Sequence, residues 1–213
     1  MQPSRHLSQL RKSLAKYLYK LRVLVDEGMA TSWPFSDRLV CHATIETFNI
    51  WVNFSRAYYL SLSLKPITET GTKVSLGNTG IKTFHDALDE SMRVCKNGVW
   101  KKGGWTRRDE PPWQKPDTIL KSAQAIKCSN YTNIITAYGV PTNVFNDLPK
   151  FRHFFAHRND DTTLTAKNVA RNYSISVALH PSKILTTPAY GRPQALLLDW
   201  IDDLRIVSEL LCQ

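Results

Sequence analysis

The chain has few of the residues on which small secreted or metal-clamped scaffolds rely. Its four cysteines, Cys41, Cys95, Cys128 and Cys212, are scattered, with no close pair of the kind that clamps zinc or works as a redox dithiol. Reduced thiols and a cytoplasmic location are therefore expected. Long hydrophobic runs are missing too: no stretch approaches the ~18 uncharged apolar residues of a spanning helix, so no membrane association is expected. The opening MQPSRHLSQLRKS moves into charged residues without an apolar signal core. Acidic residues are scarce, 18 against 28 Lys and Arg, which leaves a formal net charge of +10. Internal repeats, low-complexity tracts, phosphate-cradling glycine loops and an activated Ser or Cys nucleophile have no signature here.

What is present is enough for one core. With 213 residues, 42% of them hydrophobic, and six tryptophans, a single domain spanning 1–213 is expected. The positive charge concentrates polyanions around the molecule, so nucleic acid is the first partner to consider, although many basic proteins bind none.

The periodicity is helical. Leu7, Leu10, Leu14, Leu18, Leu21 and Val25 recur at three- and four-residue steps, predicting a first amphipathic helix over about 5–27 that ends at Gly28. A second, long and unusually apolar helix follows Pro34, capped by Ser36, and runs to about Ser63. His42, Glu46, Asn49, Asn53 and Arg56 form a polar stripe along it, the lining of a cleft or interface or else a plain solvent face. Residues 64–82 read as a loop or weak hairpin, and shorter helices are expected over about 83–96, 117–127 and 130–138. Between them, Lys101, Lys102, Arg107 and Arg108 cluster beside Trp100, Trp105 and Trp113. Cations interleaved with flat rings suit single-stranded nucleic acid; the alternative is a surface loop pinned by its tryptophans. Strict alternation of Tyr173, Ile175, Val177 and Leu179 suggests one short strand, and a last amphipathic helix is expected over about 194–212.

The segment NDLPKFRHFFAHRND carries the chemistry. It reads as a helix from about Asp147 to Arg158, with Leu148, Phe151, Phe154 and Phe155 facing the core. Arg152, Ala156, His153 and His157 lie in that angular order on the opposite arc, and Ala156 leaves room for another surface to approach. Cleaving RNA without metal needs a group that exchanges protons near neutral pH and a permanent cation for the charge that builds on the phosphoryl oxygens. Histidine and arginine supply one of each.

RHFFAH resembles the Arg, polar residue, three more residues, His pattern of HEPN domains. The resemblance implies a mainly α, HEPN-like antiparallel helical bundle with an elaborated loop region. It also implies a homodimer whose motifs meet in one composite site, and metal-independent endoribonuclease activity on single-stranded or loop RNA, in phage defence or as a toxin. Arg152 would then bind the scissile phosphate and His157 would transfer protons. His153, Asn49, Asn53, Arg56, Arg158 and Asn159 would support them, and Lys101, Lys102, Trp105, Arg107 and Arg108 would bind RNA. An antitoxin or another defence-system protein is the implied further partner, and no cofactor or metal is expected. One departure stands out: toxins of this family that are neutralised by nucleotidylation carry Tyr where this chain has Asn159. The alternative is a non-catalytic HEPN-like subunit that uses the same face for RNA, nucleotide or a protein partner. His153 and His157 could also be half of a zinc site, and Arg152 with His157 a polar patch at a subunit contact.

Overall fold

The computed structural model describes residues 1–96 and 106–213, and among them the fold is mainly α. The helices are α1 (Leu7–Ala30), α2 (Phe35–Leu62), α3 (Phe84–Cys95), α4 (Pro116–Ala125), α5 (Tyr131–Tyr138), α6 (Val144–His157), α7 (Asp160–Ala170), α8 (Pro181–Leu185) and α9 (Leu196–Cys212). No described helix is long and apolar enough to cross a membrane. Internal packing separates two compact units: Met1–Leu14, Trp51–Val140 and Ile206–Gln213 form the first, Ala15–Ile50 and Pro141–Arg205 the second.

The first unit is built on aromatic residues. Tyr58 and Tyr59 are fully buried, and their hydroxyls are used: Asn130 Nδ2 donates to Tyr58 OH at 3.1 Å, and Tyr59 OH donates to the Ala87 carbonyl at 2.7 Å. Burial pushes both phenol pKa values well up, so these hydroxyls stay protonated donors or acceptors. Residues 64–82 keep the loop character expected of them, with a rudimentary hairpin at their start. Ile67 and Lys73 bridge, Thr68 N–H donates to the Thr72 carbonyl at 2.9 Å, and Gly71 turns the chain at φ 84°, where a side chain would be strained.

The second unit packs Leu18, Leu21, Val25, Val40, Leu148, Phe151, Phe154, Val169, Leu197 and Trp200, all buried. These are the periodic apolar faces of α1, α2, α6, α7 and α9, and removing them from water is the main stabilising term. Asp147, 2% exposed, holds the first half of α6: it accepts from Lys150 Nζ at 2.8 Å and from Tyr173 OH at 3.0 Å, and Trp200 Nε1 donates to that hydroxyl at 3.2 Å. The Lys150 bond lies within α6, whereas the Tyr173 bond ties the helix that carries Arg152 and the histidines to the turn after α7.

Several local expectations are corrected. Gly28 does not end α1, which runs on to Ala30; a Cβ at Gly28 would lie 3.3 Å from Leu39 Cβ and Val40 Cγ2, so the glycine marks a close approach rather than a stop. Ser36 is the second residue of α2 and buried, its N–H donating to the Ser32 carbonyl at 3.1 Å, so it is not the cap. The chain over 172–179 forms no strand. Arg171–Tyr173 is a 3-10 turn, Ser174 is left-handed at φ 54°, and Leu179 N–H folds back onto the Ser176 carbonyl at 3.3 Å. Alternation marks which residues can alternate between core and solvent, but a strand also needs a partner for its backbone, and turns have taken these groups.

Candidate functional site

Helix α6 starts three residues earlier than periodicity suggests. Asn146 and Asp147 N–H groups both donate to the Asn143 carbonyl, and Val144 N–H donates to Thr142 Oγ1 at 3.1 Å. Pro149 is thus inside the helix, giving up one ladder donor. The helix ends at Arg158, left-handed at φ 41°, whose N–H donates to the Phe154 carbonyl at 2.7 Å. Asn159 then starts α7: its Oδ1 accepts from Thr162 N–H at 2.9 Å while Thr162 Oγ1 accepts from Asn159 N–H at 3.2 Å.

The apolar side of α6 is buried as expected, with Leu148, Phe151, Phe154 and Phe155 each no more than 6% exposed. His153, Ala156 and His157 are exposed, and Arg152 is half-buried. The Arg152 guanidinium carbon lies 5.7 Å from the ring centroid of Phe48 on α2. Its Nε is shielded from water without an acceptor, and among the described residues no carboxylate pairs with the guanidinium. The cation thus rests against a ring face, and its buried Nε is a donor left without a hydrogen bond. His153 and His157 meet in an edge contact, ring centroids 4.6 Å apart at 63°.

The remaining supporting residues are engaged elsewhere. Asn49, beside Phe48, donates from Nδ2 to Glu46 Oε1 at 3.2 Å. Asn53 and Arg56 belong to the first unit. There Arg56 forks onto Glu110, whose side chain is 4% exposed, Nε to Oε2 at 2.5 Å and NH2 to Oε1 at 2.7 Å, while Arg107 NH2 reaches Asn53 Oδ1 at 3.3 Å. Trp113 Nε1 also donates to Glu110 at 2.8 Å, and its ring stacks on Tyr59 at 5.4 Å, so this end of the tryptophan-rich stretch is pinned to its own unit. Arg108 is exposed. Trp100, Lys101, Lys102 and Trp105 lie outside the described residues.

Arg158 NH2 donates to Asp37 Oδ2 at 2.9 Å, and its guanidinium lies over Phe155 and Phe154 at 5.6 and 5.8 Å. Asp37 is buried and its Oδ1 has no hydrogen-bond donor; His180 Nδ1 stands 3.6 Å from it. His180 Nδ1 in turn contacts Ser182 Oγ at 2.8 Å. Burial lowers the His180 pKa; Asp37 pulls it partly back, and Arg158 and Lys167 push it down. This Asp37, Arg158 and His180 cluster had no sequence signal, since its members lie on three separate segments. Because Asp37 and Ser182 address the same ring nitrogen, the cluster does not have the geometry of a hydrolytic triad, in which the two nitrogens serve different partners.

Among the described residues no three His, Cys, Asp or Glu side chains gather around a common point. Comparison with protein-family models, with curated protein sequences and with solved structures returned no match.

Proposed function

We propose that the chain is a metal-independent endoribonuclease of the HEPN type, acting as a homodimer on single-stranded or loop RNA in a toxin or phage-defence setting. The observation that carries this reading is an Arg152 guanidinium that makes no ion pair among the described residues, on the same helix as two exposed imidazoles. In this reading Arg152 grips the scissile phosphate by its fork. His157 exchanges the proton of the 2′-hydroxyl or of the leaving oxygen, giving a 2′,3′-cyclic phosphate and a 5′-hydroxyl.

A single copy is a poor fit to that chemistry, and a pair a better one. Residues five apart on a helix are separated by about 140° and about 7.5 Å of rise, so one Arg152 and His157 flank Ala156 rather than converge. A second motif laid across Ala156 would bring an arginine and a histidine from opposite chains to one phosphate. The basic net charge of +10 favours RNA as the polyanion.

The test is direct: purified protein is incubated with mixed RNA in excess EDTA beside a His157→Ala variant. Cutting by the wild type and its loss in the variant support the enzyme. Equal cutting by both proteins, or none by either, removes it. The second outcome would leave the non-catalytic reading, in which the same face binds RNA, nucleotide or a protein partner.

A further inference from the structure

The two motif histidines form a unit with a property beyond proton transfer. His153 and His157 stand one helical turn apart on α6, both exposed, with ring centroids 4.6 Å apart. Neither ring is tied to another described side chain by a hydrogen bond or ion pair. Two imidazoles at i and i+4 are the pair by which a helix grips zinc, because successive turns place them on one face. Neutral imidazole nitrogen suits borderline divalent ions, at ~2.0–2.1 Å for zinc. The cations beside the pair are directed away from it: Arg158 onto Asp37, and Arg152 onto Phe48.

We propose that His153 and His157 chelate one divalent transition-metal ion of the Zn2+ or Cu2+ class, and that its binding switches off the proposed ribonuclease by occupying the imidazole of His157. Water completes the coordination sphere. With no third His, Cys, Asp or Glu gathered there among the described residues, the site is reversible and regulatory rather than structural. Only the inhibitory half rests on the ribonuclease reading; the chelate stands or falls alone.

The experiment titrates metal-free full-length protein with Zn2+ in a calorimeter. One ion per chain is expected, with affinity reduced about a hundredfold in His153→Ala and in His157→Ala because each leaves a single ligand. His42→Ala, which removes another exposed histidine, should bind as the wild type does. Circular dichroism checks that the variants keep their helix content. The wild-type titration needs no variant: absence of saturable binding overturns the chelate, as does undiminished binding by His153→Ala. A parallel RNA assay is run with added Zn2+ and after EDTA. Cutting that falls as Zn2+ saturates the site and returns with EDTA supports inhibition. Cutting that persists at saturation overturns it. Saturable Zn2+ binding by a protein that cuts no RNA under any condition overturns the ribonuclease and the inhibition while the chelate survives.

Discussion

Arg158 reaches across 121 residues of sequence to Asp37, NH2 to Oδ2 at 2.9 Å, joining the end of the motif helix to the first turn of α2. The pair is lopsided, since the Arg158 side chain is 45% exposed and that of Asp37 only 6%. The two partners therefore differ in what their removal leaves behind.

Arg158→Ala leaves a carboxylate buried without its cation, whereas Asp37→Asn leaves a guanidinium that water can still reach. The first should cost about 2–3 kcal/mol and the second about 1 kcal/mol. Urea unfolding of both variants checks the order, and a reversed order would contradict the burial asymmetry.

His180 predicts the acid side of the stability curve. Burial holds its folded pKa below the unfolded value of about 6.5, so the unfolded chain takes the proton more readily. Its contribution is thus present above about pH 6.5 and is lost as the pH falls through the folded value. Melting temperatures at about pH 7 and about pH 5 should differ less in His180→Gln than in the wild type. An identical slope would count against this placement of the ring.

Arg152 makes no ion pair among the described residues, so Arg152→Ala should cost no more than about 1 kcal/mol, the value of its contact with Phe48. RNA cutting should nevertheless vanish. A folded, fully active Arg152→Ala protein would remove the phosphate role.

Ala156 is exposed between Arg152 and His157, and a tryptophan there should leave the monomer's stability within about 0.5 kcal/mol while blocking a close approach of two motifs. Light scattering and the RNA assay should both register the change. An unperturbed dimer with full activity would put the interface elsewhere.

Gly28 separates helix propensity from packing. Alanine gains about 1 kcal/mol of propensity and meets Leu39 and Val40 at 3.3 Å, so Gly28→Ala should be near neutral. Gly28→Leu should lose about 1–3 kcal/mol by overpacking. Denaturant midpoints distinguish the two.

Much of α6 is legible in the order of its residues. Phe151, Phe154 and Phe155 dictate its buried side, and geometry then obliges Arg152, His153 and His157 to face outward. Its start is not legible in the same way, because Asn143 and Thr142 supply their acceptors only once the chain has turned. Helix α7 escapes periodicity as well: Asn159 followed by two acidic residues and Thr162 is a cap signal, but the apolar pattern behind it is sparse and Leu164 is exposed.

Local order thus follows from the sequence itself: where most of the helices lie, which faces are apolar, and that an arginine and two histidines share an outward arc. Those properties depend on neighbours within a turn or two, and periodicity records them. Tertiary structure alone decided which polar groups are already used. Glu110 takes Arg56 and Asp37 takes Arg158, while Arg152 rests against a ring and makes no ion pair among the described residues. Partnership between residues far apart in the chain is a matter of packing, and no spacing along the sequence encodes it.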